Sequence, residues 1–113
     1  RVPDAAQGRQ RALEVVEVVV TGPPDWVRSF ADAVVGDRLV ACVHQVAIAS
    51  TYRWEGAVER DDELRAMLHT TASRVAELEE RIVREHPYEV PCIFTVPVAP
   101  SSAYARWVQE STV

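Results

Sequence analysis

LVACVHQVAIASTYRWEGAVERDDELRAMLHTT, running from Leu39 to Thr71, holds two long β-rich arms on either side of a single glycine. Leu39 to Ile48 is apolar and β-rich, and Ser50 to Glu55 extends it with Tyr52 and Trp54 on one face of the chain. Gly56 supplies the permissive backbone for a reversal. In the return arm, Ala57 to Thr71, Leu64, Ala66 and Leu68 alternate with Arg65, Met67 and His69, the period-2 pattern of a half-buried strand. At about 3.3 Å per residue, arms of 39–55 and 57–71 reach on the order of 50 Å. A domain of this size has a radius of gyration near 13 Å, so the hairpin is expected to project beyond its own domain. A tip carrying Tyr52 and Trp54 beside Val58 then exposes aromatic area and unpaired edges, which a symmetric homo-oligomer would cover. The alternative is a bulge at Ala47 to Ser50 that folds the tip back onto the sheet.

On the N-terminal side, Leu13 to Thr21 is nearly continuous in valine, as in a strand covered on both faces. Thr21-Gly22-Pro23-Pro24-Asp25 is a turn in which Asp25 is placed to cap a helix, and Trp26, Val27, Phe30, Ala31 and Val34 follow at helical spacing until Gly36. On the C-terminal side, Thr71 or Ser73 is placed to cap a helix whose apolar stripe is Val75, Leu78, Ile82 and Val83, stopped by Pro87. Tyr88 to Val98 reads as a fourth strand, with Pro91 and Pro97 confining it to an edge, a bulge or a strand end. A last helix near Ala103 to Glu110 offers Tyr104, Trp107 and Val108 to the core. The order βαββαβ plus a tail helix predicts an α+β, ferredoxin-like sandwich over residues 13–113. Residues 1–12, polar and without periodicity, are expected to be a disordered tail.

Composition narrows the function. A chain of 113 residues with 48% hydrophobic and 26% charged content suits one self-sufficient core, so folding requires no cofactor. The net charge of -5 repels a phosphate backbone, and the basic residues, all arginine, form no patch; nucleic acid is not an expected partner. The longest apolar runs fall far short of the roughly 20 residues that span a bilayer, and no secretory leader is visible, which points to the cytoplasm. Cys42 and Cys92 lie too far apart for a C-x-x-C site and read as reduced thiols. There is no local signature of a Ser/His/acid set, a phosphate-cradling glycine loop or a paired-carboxylate site, so an enzyme is not expected.

Copper or zinc would want imidazole and thiolate, of which the chain has three His and two Cys. His44, two residues after Cys42, points to the same strand face with Cα atoms about 7 Å apart, close enough to share an ion; the alternative is a buried thiol beside a satisfied histidine. His69 has no partner in sequence and reads as a satisfied interior or interface residue, and Cys92 as packing. Glu59, Asp61, Asp62 and Glu63 lack the alternation of a calcium loop and read as a solvated shoulder. Tyr52, Trp54, Tyr88 and Trp107 read as core and interface anchors.

Ala41-Cys42-Val43, Tyr52-Arg53-Trp54-Glu55-Gly56, His86-Pro87-Tyr88-Glu89-Val90-Pro91 and Tyr104-x-x-Trp107 together resemble the CutA family of divalent-cation tolerance proteins, over Glu14 to Thr112. The resemblance implies a ferredoxin-like protomer, a homotrimer built through the long hairpin, a cytoplasmic location, and binding of copper or another divalent metal in metal tolerance, without catalysis. It also implies His86 as a metal ligand; the residue-level alternative is a ring bonding the last carbonyls of its helix. The chain departs from the family pattern in carrying Val20 near the position of a family cysteine and Glu85 before His86. A rival reading is a trimeric module that senses a small molecule in the clefts between its subunits.

Overall fold

The β2–β3 hairpin dominates the shape. In the computed structural model, which describes residues 5–113, strands β2 (Cys42–Trp54) and β3 (Ala57–Thr71) pair without interruption from Cys42↔His69 to Trp54↔Ala57. Glu55 (φ 49) and Gly56 (φ 81) close the turn. Two consecutive positive φ angles give a turn whose twist matches that of the paired strands. There is no bulge at Ala47 to Ser50, so the tip does not fold back. The molecule measures 50 × 32 × 24 Å with a radius of gyration of 15.6 Å, above the roughly 13 Å of a compact domain this long.

The remaining elements are α1 (Ala5–Leu13), β1 (Val15–Gly22), α2 (Pro24–Gly36), a 3₁₀ turn (Ala72–Arg74), α3 (Val75–Glu85), β4 (Ile93–Pro97) and α4 (Ser102–Ser111). The strands form one antiparallel sheet in the order β2-β3-β1-β4, the ferredoxin-like α+β arrangement. Register assigns the two faces. Val18 and Val20 of β1 stand opposite Leu68 and Ala66 of β3, and with Leu64 they pack beneath Val27, Phe30 and Val34 of α2 and Leu78 and Ile82 of α3. Glu17, Met67, His69, Cys42 and His44 share the far face, where α4 closes one end by packing Val108 against Val15 and Ala41. No helix among the described residues is long and apolar enough to cross a membrane.

Several local expectations are corrected. The disordered tail expected over 1–12 is a helix from Ala5, a stretch rich in alanine and glutamine. Gln109 of α4 donates to the carbonyl of Leu13, tying the helix end down; residues 1–4 lie outside the described residues. Asp25 does not cap α2, because Pro24 with its fixed φ already begins the helix. Neither Thr71 nor Ser73 caps α3; their hydroxyls bond each other at 3.0 Å beside the 3₁₀ turn. Leu39 and Val40 precede β2 as a buried loop, held where Thr70 Oγ1 donates to the Leu39 carbonyl at 2.8 Å. Val83 and Trp107 face outward, being 61% and 45% exposed, because Ile82 and Val108 take the inward position of those helical turns. The fourth strand starts at Ile93 instead of Tyr88, since two prolines in 87–91 deny the ladder its donors.

The turn yields a prediction with two signs. Gly56→Ala places a side chain at φ 81 and is expected to cost about 1 kcal/mol. Gly36→Ala, at the end of α2 with open space around it, should be neutral or stabilising by about 0.5 kcal/mol. Urea midpoints at one protein concentration check both.

Candidate functional site

Antiparallel register sets Glu17, His69 and Cys42 side by side in a row across β1, β3 and β2, all on the far face. His69 is bound at both ring nitrogens: Nε2 lies 2.9 Å from Glu17 Oε2 and Nδ1 lies 2.6 Å from the Tyr104 hydroxyl of α4. A carboxylate only accepts, so the neutral ring donates from Nε2 to Glu17 and Nδ1 accepts from the phenol. Burial, then the neighbouring Cys42 and Glu17, push the Tyr104 phenol up to about 12. Cys42 Sγ lies 3.6 Å from His44 Nε2, and the rings of His44 and His69 meet edge to face with centroids 5.3 Å apart. The ligand atoms of Cys42, His44 and His69 all fall within 4.8 Å of one another. Cys42 and His44 thus come together as their spacing suggested, and the third member is a residue expected to be only structural. Pairing about the Glu55–Gly56 turn carried the signal, because it sets Cys42 opposite His69.

His86 does not join them. It is buried after α3, its Nε2 donates to the carbonyl of Thr21 at 2.8 Å, and its Nδ1 accepts the amide of Tyr88 at 3.0 Å. Both nitrogens are spent, and Thr21 lies four residues along β1 from Glu17, about 13 Å away. His86 thus stands apart from Cys42 and His44, with which it was expected to serve as a metal ligand, and its alternative is corrected, since the carbonyl it binds belongs to β1 and not to its own helix. Its ring packs 4.4 Å from Trp26, whose indole donates to the Glu85 carbonyl. A Cβ on Gly22 would stand 3.0 Å from His86 Nε2, so the glycine is what admits the ring.

Beyond His86, Tyr52, Trp54, Glu63, Tyr88, Val90 and Cys92 line a cavity of about 820 Å³ between the hairpin and the 86–92 loop. Glu63, expected in a solvated shoulder, is only 6% exposed and accepts the Tyr88 hydroxyl at 3.1 Å. Tyr52 donates to Asp61. Three of the four expected interface anchors thus surround one cavity, and the fourth, Trp107, lies beside Tyr104 on α4. All four are exposed in the single chain.

The tyrosines generate a prediction. The hydrogen bond to Asp61 pushes Tyr52 up to about 12, and burial followed by the Glu63 hydrogen bond pushes Tyr88 up to about 12, as for Tyr104. A phenol whose pKa folding raises holds its proton better folded than unfolded. Its stabilising effect is complete below pH 10 and lost as pH climbs towards 12. Phenolate absorbance of the folded chain should therefore rise near pH 12 instead of 10, with urea midpoints falling across that interval; constant midpoints would contradict these contacts.

Residues 15–111 match the profile described as CutA1 divalent ion tolerance protein. A divalent-cation tolerance protein CutA of Thermus thermophilus is 41% identical over 98 residues, covering 84% of this chain and 95% of the relative. The crystal structure of CutA1 from Pyrococcus horikoshii superposes with a TM-score of 0.83 at 32% identity, covering 87% of this chain and 98% of that one. A structure described as PII-like protein CutA from Nostoc, in apo form, superposes with a TM-score of 0.83 at 28% identity, covering 87% and 97%. With its fold, its motifs and nearly its whole length matched, the chain belongs to the CutA1 family of divalent ion tolerance proteins.

Proposed function

We propose that this chain is a cytoplasmic, homotrimeric module that binds divalent cations, copper among them, and serves metal tolerance without catalysis. The observation that carries the assembly is the free edge of β2. At 13 residues it is long, carries no proline and has Arg53 as its one residue with a permanent charge, and it borders the sheet with only β3 as partner. Such an edge is a template for pairing, and closed rotational symmetry satisfies it without fibre growth. The exposed tip, with Trp54 40% and Val58 51% accessible, adds apolar area that a neighbouring copy would cover. The cation role is supported by family membership, and the cytoplasm by the two free thiols.

Sedimentation at low micromolar concentration should give a particle of three 12.6 kDa chains. Tyr52→Ala combined with Trp54→Ala should weaken that assembly by roughly tenfold or more. A monomer at that concentration defeats the trimer. Cu²⁺ titrated into the intact assembly should raise its melting temperature.

One observation favours a second reading, a sensor of small molecules: the cavity between the hairpin and the 86–92 loop, open where a neighbouring subunit would sit. That reading predicts melting temperatures raised by metabolites and unmoved by Cu²⁺.

A further inference from the structure

The far face of the sheet carries a group of side chains that the sheet alone does not need. Cys42, His44 and His69 stand on adjacent hydrogen-bonded strands, so their Cα positions are held by the ladder and only side-chain rotation remains. We infer that Cys42 Sγ, His44 Nε2 and His69 Nδ1 form a binding site for one borderline d-block dication of the Zn²⁺ type, with Glu17 orienting the His69 ring. The inference rests on the reading that the chain binds divalent cations, and it names where and which class.

The geometry supports it in several independent ways. Metal–sulfur and metal–nitrogen bonds of about 2.3 and 2.0–2.1 Å at a tetrahedral angle set the two ligand atoms roughly 3.5–3.6 Å apart. Cys42 Sγ and His44 Nε2 are already 3.6 Å apart. The widest separation within the trio is no more than 4.8 Å, little more than 1 Å beyond a tetrahedral edge, a gap within the reach of side-chain rotation on the fixed strands. His69 Nε2 donates to Glu17, the carboxylate–histidine pairing that fixes the ring and raises the basicity of its other nitrogen. That other nitrogen, Nδ1, points to the Tyr104 hydroxyl, which also neighbours Cys42. The phenol therefore marks the space an ion would fill, and it is displaced when the ion enters. Three protein ligands leave a fourth position for water.

Ligand chemistry sets the class. One thiolate and two imidazoles suit zinc, cobalt and copper, whereas magnesium and calcium require oxygen ligands. His86 plays no part, because its nitrogens serve Thr21 and Tyr88.

The test is Co²⁺ and Zn²⁺ binding to the full chain in a Cys92→Ser background, which removes the exposed second thiol. Co²⁺ should produce a sulfur-to-metal charge-transfer band and intense visible bands of a four-coordinate ion, at one ion per chain, bleached by Zn²⁺. Cys42→Ser should abolish the charge-transfer band, and His44→Gln, at an exposed position that leaves the fold intact, should weaken binding at least tenfold. Binding that survives both variants unchanged overturns this site and leaves the cation-binding reading standing. No binding of Co²⁺, Zn²⁺ or Cu²⁺ to the parent protein overturns that reading and the site with it.

Discussion

The two-residue turn at Glu55–Gly56 sets the pairing of thirteen residues on either side of it, and most of what is distinctive in the molecule follows from that register. With the turn at this position, every β2 residue has one β3 partner from Trp54↔Ala57 down to Cys42↔His69. A slip of one residue between the strands would send Cys42 and His44 to the face beneath α2 and α3 or, were β3 the strand to turn over, would send Leu64, Ala66 and Leu68 out of the core. Burial of those three residues beneath the helices therefore holds the register, and the register in turn places the histidines.

The same hairpin divides into a covered base and a bare tip. At the base, β3 has the sheet on both sides and alternates buried and half-buried side chains from Leu64 to Thr70. Towards the tip, residues 51–62 are exposed throughout, with only the 86–92 loop facing them across the cavity. The elongation of the molecule and the unpaired edge of β2 are two expressions of one fact: these arms outrun the surface that 113 residues can offer them.

Two histidines show how similar local satisfaction carries different consequences. His86 is clamped between the Thr21 carbonyl and the Tyr88 amide, backbone groups that cannot leave without breaking the loop, so its ring is a strut that joins β1 to the 86–92 segment. His69 is held by a carboxylate and a phenol, side-chain groups free to rotate, on a face where a thiol and a second imidazole stand within reach. The first arrangement stabilises; the second is exchangeable. The distinction rests on which partners are backbone and which are side chain, a matter that residue identity does not reveal.

Residue pattern alone was sufficient for the βαββαβ order, the projecting hairpin and the aromatic tip, because alternation of period 2, helical spacing and the Gly56 reversal are local properties written into consecutive residues. Helix starts were less legible: Pro24 and the 3₁₀ turn at Ala72–Arg74 displaced the caps that Asp25, Thr71 and Ser73 would otherwise supply. Burial of Glu63 and exposure of Val83 and Trp107 were not legible either, since each depends on what another element lays across that position. The grouping of Cys42, His44, His69, Glu17 and Tyr104 gathers residues from three strands and the last helix, separated by up to 87 positions. Only strand pairing and the docking of α4 decided it, because proximity across a sheet is set by register and packing, to which spacing along the chain is blind.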